Sequence, residues 1–259
     1  MTSTIAAKAT ELRRLHEAPQ VLQIINVWDV VSAKVASEVP GTAALATASH
    51  SIAASLGYED GENIPVDLMI EAAGRIAASS NLPVSADLES GYGNPGETVR
   101  KAIGVGVVGA NIEDQARPLP DAVAQMSAAV RAAESEGIDF VLNARTDVLL
   151  RGQGRERQDV LADAVERGRA FLEVGATNVF VPGLLDEADV SALVEGIGWN
   201  KVSVINVPGS LLPARLQELG VSRISYGPWT QRVALTAFAD AVAGLLDGGN
   251  LPEGTRILN

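Results

Sequence analysis

The chain contains no cysteine in its 259 residues. That excludes disulfides, thiolate metal sites and a cysteine nucleophile. Aromatic residues are scarce, at 4 %, so alanine, valine and leucine must supply the core. No uninterrupted apolar run reaches the roughly 18 residues that suggest a membrane-spanning helix. The first ten residues lack the basic start and apolar stretch of a signal peptide and read as a capped helix. The cytoplasm is therefore the expected compartment. Basic residues are also in deficit, with 20 Lys and Arg against 32 Asp and Glu and a formal net charge of −12. So acidic a surface repels nucleic acid and anionic membranes, and neither is an expected partner. An anionic small molecule is not excluded, because a site makes its own local field.

What is present is a regular alternation. Short apolar runs at Val21–Asn26, Ala43–Ala48, Val84–Asp87, Ala110–Glu113, Phe140–Arg145, Asn178–Val181, Val202–Asn206 and Arg223–Tyr226 are each followed by a helix-like stretch. Those stretches are Asp29–Val39, Val66–Ser79, Gly96–Ile103, Asp121–Glu136, Gln158–Val174, Glu187–Glu195, Leu212–Leu219 and Thr230–Leu245. Near-continuous apolar strands mark a parallel sheet buried on both faces, and the helices supply its crossovers. Eight such units predict a single-domain (β/α)8 TIM barrel over residues 1–259, preceded by one helix.

In such barrels the chemistry sits at the carboxyl ends of the strands. Those ends read Asn26-Val-Trp28-Asp29, Thr47-Ala48-Ser49-His50, Asp87-Leu-Glu89, Glu113-Asp114, Arg145-Thr-Asp147, Pro182-Gly183, Asn206 and Tyr226. Acids crowded on neighbouring strands repel one another unless a cation sits among them. Oxygen-only ligands suit a hard divalent ion, Mg²⁺ or Mn²⁺, with Asp87, Glu89 and Glu113 as its candidates. By strand alternation Asp87 and Glu89 share one face, while Asp114 points away from Glu113, toward backbone or an arginine. Arg145 reads either as a salt bridge to Glu113 or Asp147 or as a clamp on an anionic substrate. His50 is a candidate catalytic group at the mouth, and His16, in the first helix, reads as a surface residue. Trp28, Thr47, Ala48, Ser49, Gly91 and Asn206 are the candidate substrate contacts. The string Gly104-Val-Gly-Val-Val-Gly109 follows a helix and precedes a strand, the reverse of a dinucleotide fingerprint. The basic run Arg151–Arg157 reads as a solvated loop.

At these residues the chain resembles the isocitrate lyase / phosphoenolpyruvate mutase superfamily. The resemblance is carried by Asn26-Val-Trp-Asp-Val-Val-Ser-Ala33, Ser55-Leu-Gly-Tyr-Glu-Asp60, Asp87-Leu-Glu-Ser-Gly-Tyr-Gly93, Asn111-Ile-Glu-Asp-Gln115 and Ala144-Arg-Thr-Asp147. It implies a barrel whose last helix, Thr230–Leu245, is swapped with a partner in a homodimer or homotetramer. It implies Mg²⁺, often held through water, at the acids matching Asp87, Glu89 and Glu113. It also implies that Arg145 contacts the anion, that Thr47-Ala-Ser49 cradles a carboxylate and that Asp60 is a catalytic loop residue. The implied substrate is a small keto acid or phosphonate.

The departures are as informative. The common Asp-x-Asp pair is here Asp87-Leu-Glu89. The lyases' Lys-Lys-Cys-Gly-His gating loop is replaced by Asp114-Gln-Ala-Arg-Pro-Leu-Pro120. Pro182 stands where the mutase has a histidine. The first expectation is a Mg²⁺-dependent phosphoenolpyruvate mutase or phosphonopyruvate hydrolase that makes or breaks a P–C or C–C bond through an enolate. The alternatives are oxaloacetate-type C–C cleavage or decarboxylation, and a noncatalytic sensor of metal and carboxylate.

Overall fold

The structure, a computed structural model, describes residues 4–258. All its strands are parallel, in the order β1-β9-β8-β7-β6-β5-β4-β3-β2. They are β1 (Leu22–Gln23), β2 (Ile25–Val27), β3 (Leu45–Thr47), β4 (Val84–Asp87), β5 (Gly109–Glu113), β6 (Val141–Arg145), β7 (Asn178–Phe180), β8 (Val202–Ile205) and β9 (Val221–Ser225). The expected first strand is divided at Ile24. Its first half pairs with β9 and its second half with β3. At the break, Ile24 N–H donates to Ile224 O at 2.9 Å and Ile25 N–H donates to Ala44 O at 3.4 Å. One bent strand thereby joins the last strand to the second, and the ring is that of a (β/α)8 barrel.

The outer layer consists of α2 (Val30–Glu38), α4 (Val66–Ser79), α5 (Pro95–Gly104), α6 (Leu119–Ser135), α8 (Arg157–Glu173), α9 (Glu187–Ile197), α10 (Pro213–Glu218) and α11 (Trp229–Leu246). Local chemistry starts several of them. Asp29 and Ser32 form a capping box on α2, as do Asp186 and Asp189 on α9, and Asn94 caps α5 just before Pro95. Two short helices that no periodicity announced, α3 (Ser49–Ser55) and α7 (Val148–Arg151), follow β3 and β6 at the mouth. Four or seven residues are too few to show a helical repeat.

α1 (Ile5–Glu17) packs under the barrel. Its Leu12 is fully buried and leaves no room for a side chain at Gly109, where a Cβ would sit 2.7 Å from Leu12 Cδ2. His16 corrects the sequence reading, since it is 2 % exposed rather than on the surface. Its Nδ1 lies 2.8 Å from Leu12 O, an acceptor, so Nδ1 carries the proton. Above it the barrel interior is polar. Asn143 Nδ2 donates to Asn111 Oδ1 at 2.8 Å, and the fully buried Arg223 donates to Ser85 Oγ at 3.3 Å. Two residues beyond Ser85 on the same strand is Asp87, at the mouth.

Candidate active site

A cleft of about 300 Å³ opens at the carboxyl ends of the strands. One side of it is polar. Asn26, Thr47, Ser49, His50, Asp60, Asp87, Asn111 and Arg145 all line it. Asn26 fastens the two ends of the ring: its Oδ1 accepts from Tyr226 N–H at 2.7 Å and Gly227 N–H at 2.9 Å, and its Nδ2 donates to Thr47 O at 3.0 Å. Thr47 Oγ1 accepts from Asp87 N–H at 2.9 Å. Ser49 then joins two acids, with its Oγ 3.0 Å from Asp87 Oδ2 and 3.1 Å from Asp60 Oδ1. His50 Nδ1 is 3.7 Å from the other Asp60 oxygen. The sequence placed these residues on separate segments, and the fold brings them together.

Glu89 departs from the expectation of a shared strand face. The strand ends at Asp87, and Glu89 takes a left-handed φ of 51°. Its carboxylate accepts from Tyr92 Oη of its own turn at 3.1 Å and from Glu62 N–H of the loop after α3. Burial, reinforced by Asp60 and Asp87, raises its pKa to about 7. Burial likewise raises Glu113 to about 7; Arg145 opposes the shift, while Asp147, Asp87 and Glu89 add to it.

Arg145 fulfils the structural half of its reading. Nη1 is 3.0 Å from Glu113 Oε2 and Nε 2.7 Å from Asp147 Oδ1, with the guanidinium 5.9 Å over the Phe180 ring. Burial works against its charge, but Glu113, Asp147 and Asp87 outweigh it and hold the pKa above the ordinary arginine value. Asp114 points away from the cleft, as alternation requires, and binds Arg167 Nη1 at 3.0 Å and two backbone amides.

Three candidate contacts do not reach the cleft. Trp28 lines an apolar recess beside α2 with Val31, Val35 and Ala36. Asn206 Nδ2 donates to Leu211 O at 2.9 Å and shapes its own loop. Gly91, with φ of 89°, serves the turn: a Cβ there would lie 2.6 Å from Pro95 Cα. Conversely, Glu62 escaped sequence reading. Its Oε1 accepts from Ser90 Oγ at 2.7 Å, Ser90 N–H at 3.1 Å and Tyr92 N–H at 2.7 Å, closing the Asp60 loop onto the turn after β4. A glutamate in an irregular loop carries no periodic signal.

The donor set fits a hard cation in chemistry and charge, but not as a cage of direct ligands. Among the described residues, no three His, Asp or Glu side chains gather closely enough to hold one ion between them. Asp87 is the acid of the expected trio that lines the cleft, and Glu89 and Glu113 stand behind it, held by Tyr92 and Arg145.

The far side of the cleft is different. Leu150, Phe180, Pro182, Leu184, Ile205 and Val207 form an apolar wall. Among the described residues, Arg145 is the one lysine or arginine lining the cleft.

A parallel (β/α)8 barrel with acids, hydroxyls and one arginine converging at its carboxyl-end mouth has the arrangement in which barrel enzymes carry their chemistry. The chain belongs to the phosphoenolpyruvate phosphomutase family, whose model matches residues 12–246. It is 39 % identical to a candidate phosphonomutase from Burkholderia cenocepacia J2315, with a TM-score of 0.85 over 91 % of this chain and 99 % of that one. It is 28 % identical to the oxaloacetate decarboxylase of Paraburkholderia xenovorans over 89 % of this chain and 80 % of that protein. The structure of oxaloacetate acetylhydrolase with its product oxalate is 26 % identical, with a TM-score of 0.86 over 97 % of this chain and 91 % of that one. The protein is accordingly an enzyme of the phosphoenolpyruvate mutase/isocitrate lyase superfamily, whose chemistry is C–C or P–C bond cleavage and formation. Among the described residues no helix is long and apolar enough to cross a membrane.

Proposed function

We propose that the protein cleaves a C–C bond next to the keto group of an oxaloacetate-type 2-oxo acid, with Mg²⁺ or Mn²⁺ held by Asp87 and, through water, by Glu89 and Glu113. The observation that carries this choice is the cation shortage of the cleft. A phosphonate or transferring phosphoryl group carries more charge than a carboxylate and calls for several cationic partners. Here Arg145 is already engaged by Glu113 and Asp147, and Pro182 and Leu184 replace any second cation on the far wall. The P–C reaction, the first expectation from sequence, is thereby less well supported than its alternative.

The parts have distinct roles in this reading. Ser49 and Thr47 hold Asp87 in place, and the Thr47 hydroxyl proton, not used in that contact, is directed in this reading to the 1-carboxylate beside Ala48. Arg145 faces the anion from β6. A divalent ion held by Asp87 would supply Lewis-acid polarisation of a keto oxygen and a counter-charge for an enolate. For decarboxylation, the bond between carbons 3 and 4 breaks, and its electron pair moves into the bond between carbons 2 and 3 as negative charge reaches the keto oxygen. Carbon dioxide leaves toward the apolar wall. Loss of a carboxylate is favoured there, since the wall offers its charge no solvation. A proton delivered to carbon 3 restores the 2-oxo acid, and we assign that delivery to His50, which lies 3.7 Å from Asp60 at the cleft.

We further propose a homo-oligomer, dimer or tetramer, built through α11. Val233, Leu235, Phe238 and Leu246 of this helix are 56–85 % exposed, and among its described residues only Gln231 is buried. So apolar a helix fits a second copy of the chain better than water. The function is tested by offering oxaloacetate and phosphonopyruvate with Mg²⁺ and with chelator. Loss of oxaloacetate absorbance that chelator stops supports the reading. Turnover of phosphonopyruvate in its place, followed by phosphorus NMR, overturns it. Ligand-induced stabilisation without turnover of either overturns it in favour of a sensor.

A further inference from the structure

The cleft is split by strand. β2 to β5 and their loops supply its acids, amides and hydroxyls, whereas β7, β8 and α7 supply Leu150, Phe180, Pro182, Leu184, Ile205 and Val207. Leu184 and Leu150 are 58 % and 47 % exposed. They contribute little to the core, yet both line the cleft that Asp60 and Asp87 also line. Phe180 is 5 % exposed and backed by the Arg145 guanidinium, so it forms a fixed floor. A carbon 3 bearing only hydrogens and the departing carboxylate leaves this wall wet on one side. We propose that the wall is a specificity pocket for an alkyl group on carbon 3, so that the preferred substrate is a 3-alkyl-2-oxo dicarboxylic acid rather than oxaloacetate itself. This inference rests on the reading of the cleft as a 2-oxo-acid site. It adds the side group, which that reading leaves open.

The geometry gives the pocket a direction. The 2-oxo acid head is confined to the polar side by Asp87, Ser49 and Arg145, and a substituent at carbon 3 faces the opposite strands. Among the described residues no lysine or arginine lines that side, so a charge additional to the departing carboxylate would lose its hydration without gaining a partner. An apolar substituent gains from covering Leu150 and Leu184. Each buried methylene is worth about 0.8 kcal/mol, or roughly a fourfold change in binding.

The test uses the full-length protein with Mg²⁺ and has two arms. In the first, kcat/KM is compared for oxaloacetate, 3-methyloxaloacetate and 3-ethyloxaloacetate. In the second, affinities of pyruvate, 2-oxobutyrate, 2-oxopentanoate and 2-oxoglutarate are measured by calorimetry, which needs no turnover. The pocket predicts a rise of about three- to fourfold per methylene in both series, with 2-oxoglutarate weaker than 2-oxopentanoate. Leu184→Asn, at an exposed position where the fold is not at stake, flattens both slopes. A flat or falling series in the wild-type protein, or tighter binding of 2-oxoglutarate, overturns the pocket. If oxaloacetate is cleaved and the series is flat, the pocket fails and the function stands. If the affinities rise in order but nothing is cleaved, the function fails and the pocket stands.

Discussion

The carboxylate of Glu62 accepts the backbone N–H of Tyr92 at 2.7 Å, across a gap that the Glu62 backbone N–H also bridges by donating to Glu89. The same carboxylate accepts twice from Ser90, so one side chain holds the Asp60 loop over the turn after β4. Glu62→Ala removes all three bonds while the barrel stays intact. Charge-assisted bonds of this kind are worth about 1.5–3 kcal/mol each when both partners are ordered. The variant is expected to lose about tenfold in kcat/KM and to become cleavable by protease between residues 56 and 65, with little change in the main unfolding transition. Limited proteolysis and steady-state kinetics check this, and unchanged values for both count against the latch.

Arg145 spans Glu113 and Asp147 with two different nitrogens. Lysine keeps the charge but offers a single ammonium, which cannot reproduce that fork. Arg145→Lys is expected to lower kcat/KM by about 10²-fold through misplacement of the anion clamp, with a smaller effect on melting temperature. A variant within a factor of two of wild type removes Arg145 from the site.

The pH dependence of the metal-free protein follows from Glu89 and Glu113, both raised to about 7. Between the unfolded carboxyl value and 7, the folded state holds more protons than the unfolded chain. Stability contributed by these groups is therefore largest at low pH and is lost as pH rises through 7. A divalent cation favours the ionised forms and reverses that loss. The melting-temperature gain on adding Mg²⁺ is expected to be larger at pH 8 than at pH 5.5. Equal gains at the two values contradict the placement of the ion beside these acids.

His16 contributes the opposite slope. Burial, with Arg223 adding repulsion, lowers its pKa to about 3. The unfolded chain takes up a proton near pH 6.5 that the folded protein refuses, so stability falls as pH drops from 6.5 toward 3. His16→Gln is expected to weaken that acid sensitivity. Urea denaturation of both proteins at pH 4.5 and 7 measures the difference, and parallel losses in the two contradict it.

Much of this architecture was readable from periodicity. The apolar runs fall on the observed strands within a few residues, because a strand buried on both faces leaves few alternatives. Asp87, Ser49, Asp60, His50 and Arg145 meet at one mouth because strand ends in a closed parallel barrel share one rim. What periodicity could not reveal was tertiary. Glu89 left the strand face through a left-handed backbone, Trp28 turned into a recess beside α2, and Asn206 turned to Leu211 in its own loop. His16 was buried by a helix packed under the barrel, and Arg223 lies unseen inside it. The apolar wall was legible only as separate strand residues, since its six members become neighbours when β7, β8 and α7 are placed together.

In the proposed reaction Asp87 anchors a divalent ion that drives cleavage beside a keto group. Its most direct measurement is the rate of oxaloacetate loss in saturating Mg²⁺, for the wild-type protein and for Asp87→Ala at matched folded content by circular dichroism. The account predicts turnover in the wild type that chelator abolishes, and a loss of about 10³-fold or more in the variant. Undiminished turnover in folded Asp87→Ala, or a wild-type rate that chelator leaves unchanged, would contradict it.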